Sequence, residues 1–187
     1  MKDYKSNKDQ PFGIIICGLN GSGKTTLGRE LAQILNVKHI DVEDYHFLAS
    51  EIPYSNPRSS EEAVALMFAD IQKYHSFVLS TVNGCYLGEE ISAMYVLAVY
   101  LSAPDEARLK RVVQRGYDKF GDRVRVGGDM YAQEVKFHQF VASRTPDEVE
   151  LWLQSLACPV IHVDGMADYR ENAVKIAHLY DEILGKI

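Results

Sequence analysis

Gly18-Leu19-Asn20-Gly21-Ser22-Gly23-Lys24-Thr25 fits the phosphate-binding spacing G-x-x-x-x-G-K-[ST] at every fixed position. Glycine leaves backbone N–H groups free to converge on phosphate oxygens with no side chain in the way. Lys24 can reach the β- and γ-phosphates of a nucleotide such as ATP, and the Thr25 hydroxyl can ligate Mg²⁺, with Thr26 beside it. A second set is acidic: Asp41, Glu43 and Asp44 fall within four residues. Phosphoryl transfer needs a metal to neutralise phosphate charge and a carboxylate to orient or deprotonate the attacking hydroxyl. Asp44 is the expected base or orienter and Asp41 an outer-sphere Mg²⁺ partner, with Glu43 beside them on the substrate side. A third set is basic. Arg108, Arg111 and Arg115 recur at spacings of three and four, followed by Arg123, Arg125 and Arg144. Arginines closing over a transferring phosphoryl group stabilise the charge that develops on it, and Arg115 and Arg123 are the expected catalytic pair. Arg58, in a segment with two prolines (49–60), is available for an anion on the acceptor.

Such groups need a frame. Phe12–Cys17 is continuously apolar and runs straight into the loop, as a buried parallel strand should. Leu27, Leu31, Ile34 and Leu35 then recur at helical spacing, with Asn36 as a stop. Further strands are expected at His39–Val42, Phe77–Val82, Val96–Leu101 and Val160–Val163. Helices are expected near Ser59–Tyr74, opened by the capping box Ser59-x-x-Glu62, after Pro104, after Thr145-Pro146 and over Arg170–Leu184. Strands alternating with helices predict a parallel α/β sheet. Gly116, Gly121, Gly127 and Gly128, interleaved with charges, predict a break in helical structure and a mobile flap. Residues 1–10 read as a loose tail.

The chain of 187 residues suffices for one domain with a full core. A net charge of −6 and a pI of about 5.5 argue against a general nucleic-acid binder. No stretch approaches the ~20 apolar residues of a membrane helix, and Met1–Gln10 lacks a signal-peptide core, which predicts a cytoplasmic protein. Cys17, Cys85 and Cys158 are widely spaced and read as reduced thiols, two of them packing as small apolar residues. Tyr45, Phe47 and Tyr54 either stack on a base or fill core, and Trp152 reads as packing.

Together these residues resemble the small P-loop kinases that include nucleoside monophosphate kinases, shikimate kinase and gluconate kinase, over about Phe12 to Leu184. The resemblance implies a single three-layer α/β domain, a five-stranded parallel sheet with helices on both faces and a lid at about 116–130. It implies ATP and Mg²⁺ as cofactors and a small-molecule acceptor as partner, in a monomer or homodimer. By similarity to adenylate kinases, Arg111 would pack on adenine, Arg115 would sit at the lid base near the phosphates, and Asp164-Gly165 would border adenine. The implied activity is transfer of the ATP γ-phosphate to a hydroxyl or phosphate. The alternatives are a nucleoside or nucleoside monophosphate kinase, and an ATP-binding switch module with a protein partner. Two departures stand out. The third strand ends Leu79-Ser80-Thr81 with no Asp of the kind many P-loop ATPases use for Mg²⁺, and Asn83-Gly84-Cys85 stands where shikimate kinase has Gly-Gly-Arg.

Overall fold

The computed structural model describes residues 10–48 and 56–185. Five parallel strands, β1 (Phe12–Cys17), β2 (Lys38–Asp41), β3 (Ser76–Ser80), β4 (Tyr95–Ser102) and β5 (Val160–Asp164), form one sheet in the order β2-β3-β1-β4-β5. The continuous apolar run of β1 is explained by burial on both faces. Ile14 and Ile16 pack with Leu27, Leu31, Ala173 and Ile176, whereas Ile15 and Cys17 pack with Met67, Ile71, Val149 and Leu153.

One face is covered by α1 (Lys24–Leu35) and α8 (Tyr169–Ile183). The other is covered by α3 (Ser60–Tyr74), α4 (Gly88–Ser92) and α7 (Asp147–Leu153). The three-layer α/β architecture is therefore as the strand–helix alternation implied. The short α2 (Val42–His46), α5 (Asp105–Phe120) and α6 (Tyr131–Ser143) rim the carboxyl ends of the strands. β1 lies between β3 and β4, so successive connections leave it in opposite directions and open a crevice at its carboxyl end. The Gly18–Thr25 loop starts there.

Several boundaries follow local chemistry. Ser59 and Glu62 form the predicted reciprocal capping box of α3. Asn36 ends α1 in the left-handed conformation. Other details differ from the expectation. Val42 opens α2 instead of closing β2, because the Asp41 side chain accepts from the Glu43 N–H and starts a helix. Ile34 faces solvent. The helix after Thr145 forms without a side-chain cap, the Thr145 hydroxyl donating to Asp147 instead.

The largest correction concerns Gly116. Helix α5 runs unbroken through it to Phe120, and the glycine is there for packing: an added Cβ would lie 2.3 Å from the Glu134 carboxylate of α6. The flap expected from Gly116 onward is ordered helix up to Phe120, then a 3₁₀ turn over Gly121–Val124. Met130 N–H donates to the Arg123 carbonyl and Gly128 N–H to that of Arg125, which folds this connection onto itself. Among the described residues no helix is long and apolar enough to cross a membrane. The expected tail (1–10, save Gln10), Tyr54 and most of the segment before Arg58 lie outside the described residues.

Candidate active site

The loop between β1 and α1 is shaped for an anion. Gly21 has φ +83°, and a Cβ there would meet the Arg108 carbonyl oxygen at 2.3 Å, so backbone packs on backbone. Helix α1 begins after Gly23 with no side-chain cap and no acidic residue in its first turn. Its positive end and orphan N–H groups therefore face the loop's concavity. Among the described residues the Ser22 hydroxyl is buried without a hydrogen-bond partner.

Lys24 Nζ donates to the Leu19 carbonyl at 3.0 Å. Burial lowers its pKa from 10.5 to about 8, against the opposing pull of Glu43 and Asp41, with Arg115 adding to the depression. The ammonium is thus held in a poor environment that incoming phosphate would improve. Thr25 donates its hydroxyl to Asp41 Oδ2 at 2.8 Å, while Asp41 Oδ1 accepts from the Glu43 N–H at 3.2 Å. One carboxylate therefore caps α2 and aligns Thr25. With its proton committed to Asp41, the Thr25 oxygen keeps lone pairs for a cation. Hydroxyl, nearby carboxylate and phosphate oxygens suit Mg²⁺, which keeps several waters and takes few protein ligands. The described residues offer no cluster of three or more His, Cys, Asp or Glu able to hold a metal alone.

Asn20, Gly21, Gly23, Lys24, Thr25 and Thr26 share a cleft of about 850 Å³ with Asp41, Glu43, Asp44, Arg111 and Arg115. Burial, then the charge of Asp41, raises the Asp44 carboxyl above its ordinary range, with Arg29 and Lys119 pulling the other way. Arg111 donates to the carbonyls of Gly21, Ser22 and Gly165 at 3.3, 3.4 and 3.1 Å. It bridges the phosphate loop to the Asp164-Gly165 turn, whose Gly165 N–H is fixed by the Ser102 carbonyl at 2.7 Å. Asp164 accepts from the Met166 N–H at 2.8 Å, closing that turn.

Gly18 and Ser22 underlie the loop without lining the cleft. Arg108 is structural: it is buried and bonds the Asn20 carbonyl and Asp105. Four more expected site residues are not on the cleft wall: Asp164 and Gly165, which Arg111 ties to the loop, and Arg58 and Arg123. Arg58 donates to the Tyr45 carbonyl at 2.8 Å, and Arg123 grips Asp129 through contacts of 3.0 and 2.8 Å within its own connection. Tyr45 packs against the core and donates to Asp70, whereas Phe47 does line the cleft. Cys17 is buried with its thiol pushed up to about 12, which suits a small apolar residue rather than a nucleophile. Trp152 packs against the core, as read from sequence.

The cleft also holds residues given no role from sequence, Arg29, Ser80, Thr81, Tyr86 and Lys119, together with Arg144 from the end of the basic run. Arg144 donates to Asn20 Oδ1 at 3.1 Å. Ser80 meets His39 Nε2 at 3.0 Å and the Lys24 carbonyl at 3.3 Å, tying β2 and β3 to the first turn of α1. The position of Ser80 and Thr81 at the carboxyl end of β3 was a usable signal, since ligands bind beyond such strand ends.

Residues 14–134 match the family described as AAA domain. The chain belongs to this family. Over 171 residues it is 26% identical to the uncharacterized protein YqaC of Bacillus subtilis (strain 168), covering 87% of this chain and 94% of that protein. It is 34% identical over 110 residues to the shikimate kinase of Neisseria meningitidis serogroup C, spanning 52% of this chain and 63% of the relative. Among solved structures, the shikimate kinase from Acinetobacter baumannii in complex with shikimate superposes with a TM-score of 0.53 at 20% identity, covering 94% of this chain and 96% of that one. A gluconokinase from Sinorhizobium meliloti superposes with a TM-score of 0.51 at 17% identity, over 94% and 99% of the two chains. At such identities the structural likenesses establish the fold. The shikimate kinase and the gluconokinase are proteins that this chain is similar to.

Proposed function

We propose that this chain is an ATP-dependent phosphotransferase that moves the γ-phosphate to a hydroxyl or phosphate of a diffusible small molecule in the cytoplasm. The observation that carries the proposal is the shared cleft, in which the Asp41–Glu43–Asp44 carboxylates face the Lys24–Thr25 end of the phosphate loop. A module that only binds nucleotide needs the loop but has no use for a base across from it, whereas transfer to an acceptor or to water does.

The roles follow from placement. Backbone N–H groups of the loop and the open end of α1 bind the β- and γ-phosphates, and Lys24 neutralises them. Thr25 and Asp41 would hold Mg²⁺, which when bound supplies positive charge to the phosphate oxygens. Arg111, bridging to Asp164-Gly165, forms the nucleotide edge of the cleft. Asp44 orients the acceptor. For a hydroxyl acceptor, the new bond forms between the acceptor oxygen and the γ-phosphorus as the bond to the β–γ bridging oxygen breaks. The hydroxyl proton passes to Asp44, and ADP leaves. Arg115 faces the developing charge from α5. The connection over 121–130 acts as a lid that brings Arg123 in only after its pairing with Asp129 opens.

The test is ADP release with ATP and Mg²⁺ across a panel of sugars, sugar acids, shikimate, nucleosides and nucleoside monophosphates. Acceptor-dependent turnover that disappears in Lys24→Ala is expected. A basal rate unchanged by every acceptor points to the switch-module alternative instead.

A further inference from the structure

A second cavity opens beside the phosphate cleft, between α5 and α6, with a volume of about 450 Å³. The two spaces share Glu43, Phe47, Val112, Arg115 and Lys119, so a molecule seated in one can present an atom to the other. The cavity's base is apolar: Val112 and Met130 are buried, and Phe120 and Phe137 are half-buried. Phe140 extends this surface at the mouth of the cavity, 53% exposed, with the Arg144 guanidinium 5.0 Å from its ring centre. The ammonium groups of Lys119 and Lys136 belong to exposed residues at the rim. Of the two carboxylates on the wall, Glu134 is engaged by His138 at 3.1 Å, and Glu43 lies toward the phosphate loop.

We infer that this cavity is the acceptor subsite, and that its occupant has a planar, apolar or aromatic body carrying an anionic group. The inference rests on the kinase reading and narrows its substrate class. Apolar rings with cations above them suit an aromatic anion, with ring on ring below and charge on charge at the rim. A polyhydroxy acid fits badly, because its hydroxyls would press on phenylalanine rings that offer no hydrogen bond. Arg115 and Glu43, at the junction of the two spaces, then mark where the accepting oxygen enters the phosphate cleft that Asp44 lines. Nothing in Asp41–Asp44 or in the phosphate loop alone carries this preference; it comes from the packing of α6 against α5.

The test is calorimetric titration of the full chain, saturated with ADP and Mg²⁺. The probes are 3-(hydroxymethyl)benzoate and uridine 5′-monophosphate, with shikimate and gluconate as non-aromatic acids. Binding of at least one aromatic anion is expected, tenfold or more tighter than either polyhydroxy acid. Phe140→Ala should weaken that binding at least fivefold with ADP affinity unchanged. Phe140 is half in solvent, so its truncation leaves the core closed, and Phe120→Leu serves as a second, volume-sparing variant. Failure of both aromatic probes to bind overturns the inference, as does tighter binding of shikimate or gluconate, or aromatic binding indifferent to both variants. The kinase reading fails separately, by loss of ADP binding in the unmodified chain or by absence of acceptor-dependent turnover.

Discussion

Replacing Lys24 with methionine should make the protein more stable and inactive at once. The ammonium stands in a loop where burial brings its pKa from 10.5 to about 8. At ~1.4 kcal/mol per pKa unit, keeping Lys24 charged without nucleotide costs roughly 3 kcal/mol, an upper figure because water reaches the cleft. Methionine has similar length and no charge to desolvate. It forfeits the hydrogen bond to the Leu19 carbonyl, 3.0 Å in the structure, worth about 1 kcal/mol. A net gain of at most about 2 kcal/mol remains, which for a chain of this size raises Tm by up to roughly 4–8 °C. The pH dependence carries the sign. Because the folded pKa lies below the unfolded one, the unfolded chain binds more protons between pH 8 and 10.5, and the wild type gains stability as pH rises across that window. The variant lacks this gain, so the gap in Tm should narrow from pH 7 to pH 10. Circular-dichroism melts at both pH values, without nucleotide, measure it. A variant melting below the wild type at pH 7, or a gap independent of pH, refutes the reasoning. Addition of ATP should stabilise only the wild type, since only Lys24 returns its cost to a bound phosphate.

Gly116→Ala separates packing from helix propensity: alanine favours a helix by ~1 kcal/mol, yet overpacking costs ~1–3 kcal/mol, and a Cβ 2.3 Å from the Glu134 carboxylate should prevail. A lower Tm is expected, and a higher one would show that Glu134 simply moves aside. Asp41→Asn weakens the alignment of Thr25, so the Mg²⁺ concentration for half-maximal turnover should rise at least tenfold while metal-free nucleotide affinity holds; equal effects on both would assign Asp41 to the nucleotide itself. The Asp44 carboxyl titrates above its ordinary range and must be ionised to orient the acceptor, so transfer should fall on acidification through a pKa above the usual ~4. Asp44→Asn should then lower transfer about a hundredfold and flatten that acid limb, and an unchanged limb would place the titration on another group.

The strand, loop and helix of the phosphate-binding motif were legible because their signals are local. Six apolar residues before a glycine loop, and leucines at helical spacing after it, define strand, loop and helix without help from the rest of the chain. The Ser59–Glu62 capping box is equally local, and it formed as read. What sequence hid depends on partners distant in the chain. Gly116 reads as a breaker until Glu134, 18 residues later, is seen lying against it. Arg123 reads as catalytic from its place in a basic run, but Asp129 takes it in the structure. Arg144 lay at the end of the same run, and only the fold brings it to Asn20. The α5–α6 cavity is invisible in the pattern, because its aromatic residues come from α5, α6 and the end of α2, which meet only in three dimensions.

The central claim, transfer rather than hydrolysis, is tested most directly by ³¹P NMR. The protein is incubated with ATP and Mg²⁺ and, in turn, with each of shikimate, gluconate, 3-(hydroxymethyl)benzoate, nucleosides and nucleoside monophosphates. Loss of the γ-phosphate signal matched by a new phosphoester or phosphoanhydride resonance, absent with Lys24→Ala, is the predicted result. Loss of the γ-phosphate signal into inorganic phosphate alone, at a rate indifferent to every acceptor, would contradict it.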